Sequence, residues 1–236
     1  MDMDENTIQR LNEINRQFYE VTASEFDQTR GTPWLGWKTL VEYLPQGQLS
    51  VLDVGCGNGR FGVFLAEQRM VAHYHGVDNN PQLLKYAADA LKHIPATLEM
   101  RDVVQSPPDV GYYDVVVAFG LLHHIPSYAY RKRFMQILGS RIKPGGVLII
   151  AAWCFYEFDR FRARIIPWQN DLANSVEAHD YLLDWRRGQT AWRYCHYVDE
   201  AEHAQLIRAT GLQEIITYRA DGFTNTVNRY SILKRN

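Results

Sequence analysis

The stretch VLDVGCGNGR, residues 51–60, is the part of the sequence with the clearest chemical potential. Its three glycines, Gly55, Gly57 and Gly59, follow an apolar run that contains Asp53. Because glycine has no side chain, such a run lets the backbone approach a ligand closely. A dinucleotide site spaces its glycines as G-x-G-x-x-G beside a pyrophosphate, which the Asp53 carboxylate would repel. The P-loop lysine and its Ser or Thr are absent too, so we expect a ligand without phosphates that carries a positively charged amine.

Two more acidic residues follow apolar runs: Asp78 ends HYHGVD, and Asp102 ends TLEMRD. If these runs are parallel strands, their carboxyl ends meet at one edge of an open sheet, where such sheets bind ligands. S-adenosylmethionine (SAM) suits this edge, because it has an amino-acid tail, a sulfonium, a ribose and an adenine but no phosphate. We assign the ribose hydroxyls to Asp78 and the adenine amino group to Asp102. For each of these acids taken singly, the alternative to ligand binding is a role as a solvated turn residue or a helix cap.

Alternating strand and helix patterns must position these residues. Apolar runs predict strands over 51–54, 73–78, 97–102, 113–120 and 147–153, and helical spacing predicts helices over 6–20, 60–69, from Pro81 onward and over 127–142. Strands that alternate with helices form crossover units and a mostly parallel sheet. Residues 154–198 break the pattern, and we interpret them as an insertion over the carboxyl edge of the sheet.

The pattern resumes near the C-terminus. Asp199 and Glu202 predict the start of a helix that ends at Gly211. Two strands follow, over 213–218 and 227–234. We expect them to pair antiparallel, because no helix-length segment separates them.

Composition limits the class of protein. The chain has 236 residues, of which 46% are hydrophobic, so a large core is expected. A net charge of −2 argues against a basic nucleic-acid coat. The three cysteines are too few and too scattered for a disulfide framework or a zinc site, so we expect no metal. The sequence has no apolar run of transmembrane length and no signal-peptide pattern, which predicts a cytoplasmic location without a membrane.

The motifs LDVGCGNG, GVDNN, RDV, YDVVVAFGLLHHI and IKPGGVLII occur in this order. Together they resemble the class I SAM-dependent methyltransferases, over roughly residues 45–153 and the last two strands. The resemblance implies an α/β fold with a doubly wound, seven-stranded, mostly parallel, Rossmann-like sheet whose last strand is antiparallel. A single methyltransferase domain would span 1–236, with an N-terminal helix and lid (1–44), a SAM-binding core (45–153), a substrate-side insertion after strand 5 (154–198), and a last helix with two closing strands (199–236).

The resemblance also implies which residues contact the cofactor. We expect Phe26 and Arg30 to fold over it as a lid, because the chain must pass the cofactor edge between the leading helix and the first strand. The predicted cofactor-binding set is Phe26, Arg30, Asp53, Gly55, Cys56, Gly57, Asn58, Gly59, Asp78, Asn79, Asp102, Val103, Phe119, Gly120, Leu121 and His124.

The methyl acceptor is expected beside GLLHHIP, residues 120–126. Methyltransferases that act on the amino groups of DNA bases or proteins carry Asn/Asp-Pro-Pro-aromatic at this place, so an exocyclic amine is disfavoured. Neither Cys154 nor Cys195 has a context typical of a nucleophile for carbon-5 methylation of pyrimidines. His123 and His124 are candidates for a general base toward a hydroxyl acceptor. Alternatively, they pack against the cofactor and begin the next helix.

Two further stretches resemble the tRNA wobble-uridine carboxymethyl methyltransferases of eukaryotes. The shared positions are Phe26, Arg30 and Trp34 before the first strand, Arg193, Tyr194 and His196 before the last helix, and a looser match over Gly222–Tyr230. The match is weak over 154–192. The resemblance implies a carboxylate acceptor, which is ionised at neutral pH and needs no general base to attack a methyl group.

A guanidinium is the natural partner of a carboxylate, and the candidates are Arg30, Arg186, Arg187 and Arg193. The alternative is that they are surface arginines balanced by nearby acids. We predict an acceptor-binding set of Arg186, Arg193, Tyr194 and His196. Between Ser127 and Tyr156, the basic residues Arg131, Lys132, Arg133, Arg141 and Lys143 occur without an acid. They form either an RNA-facing surface or a solvated helix face.

The leading hypothesis is a SAM-dependent methyltransferase that acts on a carboxylate oxygen of a modified wobble uridine in tRNA. An O-methyltransferase for a small carboxylic acid or hydroxyl is the second hypothesis, and a non-catalytic SAM-binding partner protein is the third. The expected partners are therefore tRNA or a small-molecule acceptor. In the eukaryotic family a small partner protein is needed for activity, which implies a similar activator here.

Overall fold

The computed structural model describes residues 3–29, 31–168, 170–187 and 189–235. The strands are β1 (Leu49–Val54), β2 (Val71–Asp78), β3 (Ala96–Met100), β4 (Tyr113–Phe119), β5 (Ile142–Trp153), β6 (Ile165–Ile166), β7 (Asp180–Arg187), β8 (Gln189–His196), β9 (Gln213–Ala220) and β10 (Asn228–Lys234). The helices are α1 (Glu5–Gln28), α2 (Leu35–Leu40), α3 (Arg60–Glu67), α4 (Pro81–Ala90), α5 (Tyr128–Ser140), α6 (Asp159–Arg162) and α7 (Glu200–Ala209).

The main sheet has seven strands in the order β3–β2–β1–β4–β5–β10–β9. Strand β10 pairs antiparallel with both β5 and β9, whereas the pairs from β3 to β5 are parallel. This confirms the predicted doubly wound α/β fold and its reversed last strand. The chain runs outward from β1 to β3 and then returns to the other side of β1 with β4, so the carboxyl ends of β1 and β4 border a crevice suited to a ligand.

Two buried clusters cover the two faces of the main sheet. Alternate residues of β1 divide between them, with Leu52 in one cluster and Val51 in the other. Phe134 of α5 packs in the first cluster and Phe61 of α3 packs in the second. The core therefore holds the strand ends rigidly from both sides. Within the described part of the chain, no helix combines the length and apolarity needed to cross a membrane.

Helix α1 is longer than the expected 6–20. Asp4 caps its N-terminus by accepting a hydrogen bond from the Thr7 amide, and the helix continues to Gln28. Its first turns bury Ile8 and Leu11 in the core. The additional turns place Phe26 over the carboxyl edge of the sheet, beside Gly57.

The insertion after β5 contains a second sheet of three strands in the order β6–β7–β8. The sequence of the β7–β8 hairpin has no recognisable strand pattern. The reason is that the successive residues Leu182, Leu183 and Asp184 are all buried, although neighbouring residues of a strand face opposite sides. Polar side chains such as Asp180 and His196 are buried there too. A hairpin that is covered on both faces loses the alternation of apolar and polar residues that marks a strand.

A buried ion-pair network attaches the insertion to the main sheet. Arg131 on α5 is 1% exposed and pairs with Glu177 at 2.8 Å and with Glu202 at 2.6 Å. Glu202 also contacts His196 at 2.7 Å. The acids missing between Ser127 and Tyr156 are thus supplied by other elements. Arg131 does not belong to a solvated or RNA-facing surface.

Candidate cofactor and acceptor site

A cavity of about 640 Å³ lies at the carboxyl ends of β1, β2 and β4. Asp53, Asp78 and Phe119 line it from these three strands. Helix α1 lies over one side, and the insertion with the β9–β10 loop borders the other side. A rigid sheet edge under more variable covering segments is the usual arrangement of a ligand site in this class of fold.

The glycine loop forms the floor of the cavity. Gly57 has φ +55°, and a Cβ there would lie 3.4 Å from the Phe26 ring. Gly59 has φ +76° as the residue before α3, and a Cβ there would lie 2.9 Å from Leu91. Both positions require the left-handed backbone that glycine adopts without strain. The loop therefore presents bare backbone to the space beneath Phe26.

Asp53 lies buried at the wall of the cavity, where the Tyr74 hydroxyl donates a hydrogen bond of 2.5 Å to it. Burial raises the pKa of this carboxyl to about 7, although the hydrogen bond from Tyr74 acts in the opposite direction. A buried carboxylate of this kind is stabilised by a bound cation. This supports the predicted role of Asp53 toward an amine.

Asp78 closes the glycine loop and reaches the cavity. Its Oδ2 accepts a hydrogen bond from the Gly57 amide at 2.9 Å, and its Oδ1 accepts one from the Asn80 amide at 2.9 Å. Burial raises its pKa, against the backbone hydrogen bonds, which lower it. A carboxylate fixed by the backbone in this way can accept further hydrogen bonds from ligand hydroxyls on its remaining lone pairs.

Asp102 differs in position from its expected place at a strand end. Strand β3 ends at Met100, and Asp102 lies in the following turn, where its Oδ1 accepts a hydrogen bond from the Val104 amide. Its Oδ2 accepts a 2.6 Å bond from Asn12 of α1. Asn12 and Val104 line the cavity, whereas Asp102 does not. Asn12 thus links Asp102 to the cavity, and nothing in the sequence pattern of α1 distinguished Asn12. The role of Asp102 toward the adenine stays a prediction.

The lid side is aromatic. Phe26 lines the cavity, and the adjacent Asp27 accepts a 2.8 Å hydrogen bond from Asn58 of the glycine loop. Trp34 continues the covering layer, with the Arg60 guanidinium 4.9 Å from its ring centroid. Arg30 lies outside the described residues.

The opposite end of the cavity carries two histidines and an arginine. His124 bonds through Nε2 to the Tyr19 hydroxyl at 3.0 Å and through Nδ1 to the Tyr194 carbonyl at 3.0 Å. The His123 ring contacts that of His124 at a tilt of 48°, with 4.0 Å between centroids. Arg193 lies 4.4 Å from the centroid of Trp153. This end therefore combines aromatic faces with a cation.

Two more arginines line the mouth of the cavity, and the sequence did not single them out. Arg160 lies 4.4 Å from the centroid of Phe223, a side chain that is 55% exposed. Arg164 lines the same side. Both arginines belong to the insertion, where the sequence has no clear periodicity or motif from which they could be predicted to line the cavity. A planar anion entering here would meet guanidinium groups and exposed aromatic rings.

Most of the predicted cofactor set is brought to the cavity. The side chains or backbones that line it are those of Phe26, Asp53, Gly55, Cys56, Gly57, Asn58, Asp78, Asn79, Val103, Phe119, Gly120, Leu121 and His124. Gly59 does not line it, since it serves the turn into α3. Among the predicted acceptor residues, Arg193 reaches the cavity. Arg186 belongs to β7, but its side chain is outside the described part.

The structure does not bring Tyr194 and His196 to the cavity. Both side chains are buried, and both bond to Asp180, at 2.8 Å from the Tyr194 hydroxyl and 2.7 Å from His196 Nδ1. Burial opposes the charged form of His196, but its bonds to Asp180 and Glu202 leave the pKa raised. Alternate residues of a strand face opposite ways, so anchoring Tyr194 and His196 directs Arg193 into the cavity.

One group of donor atoms near the cavity has a composition that metals favour. Donors of His123, His124 and Cys195 all lie within 4.8 Å of one another. Both nitrogens of His124 already have hydrogen-bond partners, and burial raises the pKa of the Cys195 thiol to about 12. A thiol must be deprotonated to bind a metal, so the group is poorly suited to the task. The absence of a metal stays a prediction.

The cavity fits SAM better than it fits a phosphate-bearing nucleotide. The glycine loop leaves room that a Cβ at Gly57 would fill, and a cation would stabilise the ionised form of the buried Asp53 carboxyl. Asp78 offers a second carboxylate where a pyrophosphate would need amide donors.

The methyltransferase domain family matches residues 52–148. The tRNA (carboxymethyluridine(34)-5-O)-methyltransferase of Arabidopsis thaliana is 26% identical over 158 residues, which are 65% of this chain and 37% of that protein. The enzyme of that name from Schizosaccharomyces pombe is 25% identical over 216 residues, 86% of this chain and 90% of that protein. The chain spans less than half the length of several curated relatives that it matches. A SAM-dependent methyltransferase of Methanosarcina mazei has a similar fold, with a TM-score of 0.66, 18% identity, and coverage of 83% of this chain and 96% of that one.

Proposed function

We propose that this chain, a SAM-dependent methyltransferase by its methyltransferase domain, methylates a carboxylate oxygen of a modified wobble uridine in tRNA. SAM supplies an electrophilic methyl group on a sulfonium. The residues of this chain bind the cofactor, orient the acceptor and exclude water.

On the cofactor side, Asp53 holds the amine of the amino-acid tail. Asp78 accepts hydrogen bonds from the ribose, and Asn12 with Val103 borders the adenine. Phe26 covers the glycine loop and keeps water from the site. These assignments follow from the buried carboxyl at Asp53 and from the order of the residues along the sheet edge.

The observation that carries the acceptor proposal is the position of Arg193. Its guanidinium lines the cavity, and its described contacts are with aromatic rings, 4.4 Å from Trp153 and 5.5 Å from Phe18. Contact with ring faces leaves the N–H edge of a guanidinium available for a carboxylate. A carboxylate that is held there is already ionised at neutral pH and requires no general base.

The hydrogen bonding of His124 supports an acceptor from which no proton has to be removed. Both ring nitrogens of His124 bond to protein groups, Tyr19 and the Tyr194 carbonyl. A histidine in this arrangement is a hydrogen-bond relay rather than a base that faces a substrate.

The exposed mouth suits a nucleic-acid acceptor. Phe223 and Arg160 present an aromatic ring and a guanidinium on which a base can stack. Lys132 and Arg133, on the exposed side of α5, could add phosphate contacts. Because the net charge is −2, we propose that a small partner protein supplies further basic surface for tRNA. A tRNA substrate would place the chain in the cytoplasm.

The second candidate is an O-methyltransferase for a small carboxylic acid or hydroxyl. The aromatic cavity and the acidic balance of charges favour it, since neither feature requires RNA. A third candidate is a SAM-binding partner without catalytic activity.

The test is methyl transfer from labelled SAM by the full chain. One substrate is an anticodon stem-loop carrying 5-carboxymethyluridine at position 34, and the matched control carries unmodified uridine. Mass spectrometry of the nucleosides should show the methyl ester in the first alone. If small carboxylic acids are methylated while the stem-loop stays unmodified, the tRNA assignment is wrong. SAM binding without transfer to either would favour the third candidate.

A further inference from the structure

Two arginines at the mouth of the cavity differ from the arginine that lies between them in sequence. Arg160 and Arg164 line the cavity, and among the described residues neither forms an ion pair or a side-chain hydrogen bond. Arg162 instead pairs with Asp159, donates a hydrogen bond of 2.6 Å to the Tyr156 carbonyl, and does not line the cavity. One short segment therefore carries one arginine that a local acid neutralises and two that face the cavity.

The acids on the neighbouring segments have partners of their own. Glu157 pairs with Arg219 at 2.7 Å. Asp221 in the β9–β10 loop lines the cavity, but it is 6% exposed and accepts hydrogen bonds from Asn228 and from the Tyr230 hydroxyl. The acceptor end of the cavity therefore carries an excess of positive charge, although the net charge of the chain is −2. Such a local field attracts an anion.

A row of aromatic rings joins the mouth to Arg193. The Arg160 guanidinium lies 5.2 Å from the centroid of Phe161, and the Phe161 ring lies 4.9 Å from that of Trp153. Trp153 in turn lies 4.4 Å from the Arg193 guanidinium. Two rings thus separate Arg160 from the group assigned to the acceptor carboxylate. In an RNA strand, a base and a ribose likewise lie between a substituent on the base and the phosphate groups.

The second sheet holds Arg164 in a fixed position relative to Arg193. The Arg164 carbonyl accepts a hydrogen bond of 2.9 Å from the Asp184 amide. Its neighbour Ile165 pairs with Leu183 of β7. Leu183 pairs in turn with Arg193 of β8. Backbone hydrogen bonds therefore join the mouth and the acceptor end into one unit.

The contacts of Arg160 suit the binding of a phosphate. Its guanidinium lies 4.4 Å from the centroid of Phe223, and a guanidinium over an aromatic ring keeps its N–H donors in its own plane. These planar donors match two oxygens of a phosphate group.

We propose that Arg160 and Arg164 bind the phosphodiester groups that flank the acceptor nucleotide. The acceptor is then taken as part of an RNA strand rather than as a free nucleoside. The proposal rests on the proposed function, and it adds the strand backbone to the groups that the protein recognises.

The test measures the binding of a fluorescein-labelled anticodon stem-loop to the full chain by fluorescence anisotropy over a range of salt concentrations. Each phosphate contact that is lost should reduce the slope of log Kd against the logarithm of the salt concentration by about 0.7, the value for a single strand. Arg160→Met and Arg164→Met should each show this smaller slope, with roughly tenfold weaker binding at low salt. A loss of base stacking would weaken binding without changing the slope. An unchanged slope in either variant would therefore overturn the phosphate contact of that arginine.

Arg162→Met is the matched control, because it removes a guanidinium from the same segment but not from the cavity. It should leave both the slope and the affinity unchanged. A slope that falls equally in this control would indicate a general effect of charge and would overturn the proposal.

A modified RNA gives the reciprocal test. In this stem-loop, neutral methylphosphonates replace the two linkages that flank position 34, so wild-type protein should bind it more weakly than the normal stem-loop. Arg160→Met should weaken its binding no further, because the charge that the arginine contacts is already gone. A further tenfold loss in that variant would contradict the assignment of Arg160 to these linkages.

The carboxymethyl group tests the proposed function separately. A stem-loop with 5-carboxymethyluridine should bind more tightly than one with uridine, whereas the change of slope in Arg160→Met should be the same for both. Equal affinity for the two stem-loops, with a reduced slope in the variant, would contradict the carboxylate acceptor alone. Tighter binding of the carboxymethyl stem-loop, with an unchanged slope in the variant, would contradict the phosphate contact alone. Wild-type protein that binds neither stem-loop at low salt would overturn both.

Discussion

The Tyr74 hydroxyl donates its hydrogen bond to Oδ2 of Asp53 beneath the glycine loop, where both side chains are 2% exposed or less. The pair joins neighbouring strands β1 and β2, and it fixes one carboxyl oxygen while the residue still lines the cavity. Because burial raises the pKa of Asp53 to about 7, this carboxyl changes charge near neutral pH when no cation is bound to it. Binding a cationic amine and ionising Asp53 are therefore linked.

Asp53→Asn should stabilise the protein above pH 7 when it is measured without added SAM. The pKa of Asp53 rises from 3.8 in the unfolded chain to about 7 in the folded protein, so the folded state binds the proton more tightly and loses stability as pH rises between these values. At pH 8 the variant has no buried ionised carboxylate at this position. Its free energy of unfolding should therefore be higher than that of the wild type by about 1–3 kcal/mol. Thermal unfolding at pH 5 and pH 8 measures the difference, which should shrink at pH 5. A variant that is less stable at pH 8 contradicts the argument.

Asp78→Ala should weaken SAM binding more than tenfold, through the loss of hydrogen bonds to the ribose hydroxyls. Calorimetry measures the affinity, and circular dichroism checks that the fold remains. Asp89→Ala is the matched control, because Asp89 is exposed on α4, and it should bind normally. Unchanged affinity in Asp78→Ala would exclude Asp78 from the cofactor site.

His196→Gln should flatten the pH dependence of stability. Bonds to Asp180 and Glu202 raise the pKa of His196 in the folded state despite burial, so its contribution is complete below the unfolded value of 6.5 and is lost as pH rises through the folded value. Below pH 6.5 the variant should lose roughly 1–3 kcal/mol relative to wild type. Melting curves from pH 5.5 to 9 should show the two proteins converging as pH increases. A constant gap would mean that packing alone is affected.

Arg193→Met should lower kcat/KM for a carboxylate acceptor by about a hundredfold, because a charge-assisted pair in a closed site is worth roughly 2–3 kcal/mol. His123→Ala should retain appreciable turnover, since no proton has to be removed. Arg208→Met, on the exposed side of α7, is the matched control for the loss of a guanidinium.

Rates measured against pH distinguish the two acceptor classes. With a hydroxyl acceptor, the histidine variants should lose more activity than Arg193→Met does. One of them should lose about 10²–10⁴ in rate, with a marked pH dependence. An inactive His123→Ala beside an active Arg193→Met would contradict the carboxylate acceptor, and the tRNA assignment with it.

The sequence by itself determined the main sheet and most of the residues that line the predicted cofactor half of the cavity. Strand and helix periods are local properties, and the acids follow strands whose ends must meet at one edge in a parallel sheet. Asp53, Asp78 and the glycines could therefore be assigned to one edge of the sheet from the sequence alone. The last two strands were predicted to pair antiparallel because the connecting segment is too short for a crossover.

Only the tertiary structure decided the acceptor half. The orientation of Arg193 depends on where its neighbours Tyr194 and His196 are anchored, and their partner Asp180 lies on the other strand of the hairpin. Asn12 reaches the cofactor edge because α1 crosses the sheet, which its own helical period does not reveal. Arg131 is buried rather than solvated because its acids come from residues 46 and 71 positions away. These arrangements depend on contacts between distant segments, and a local pattern cannot encode them.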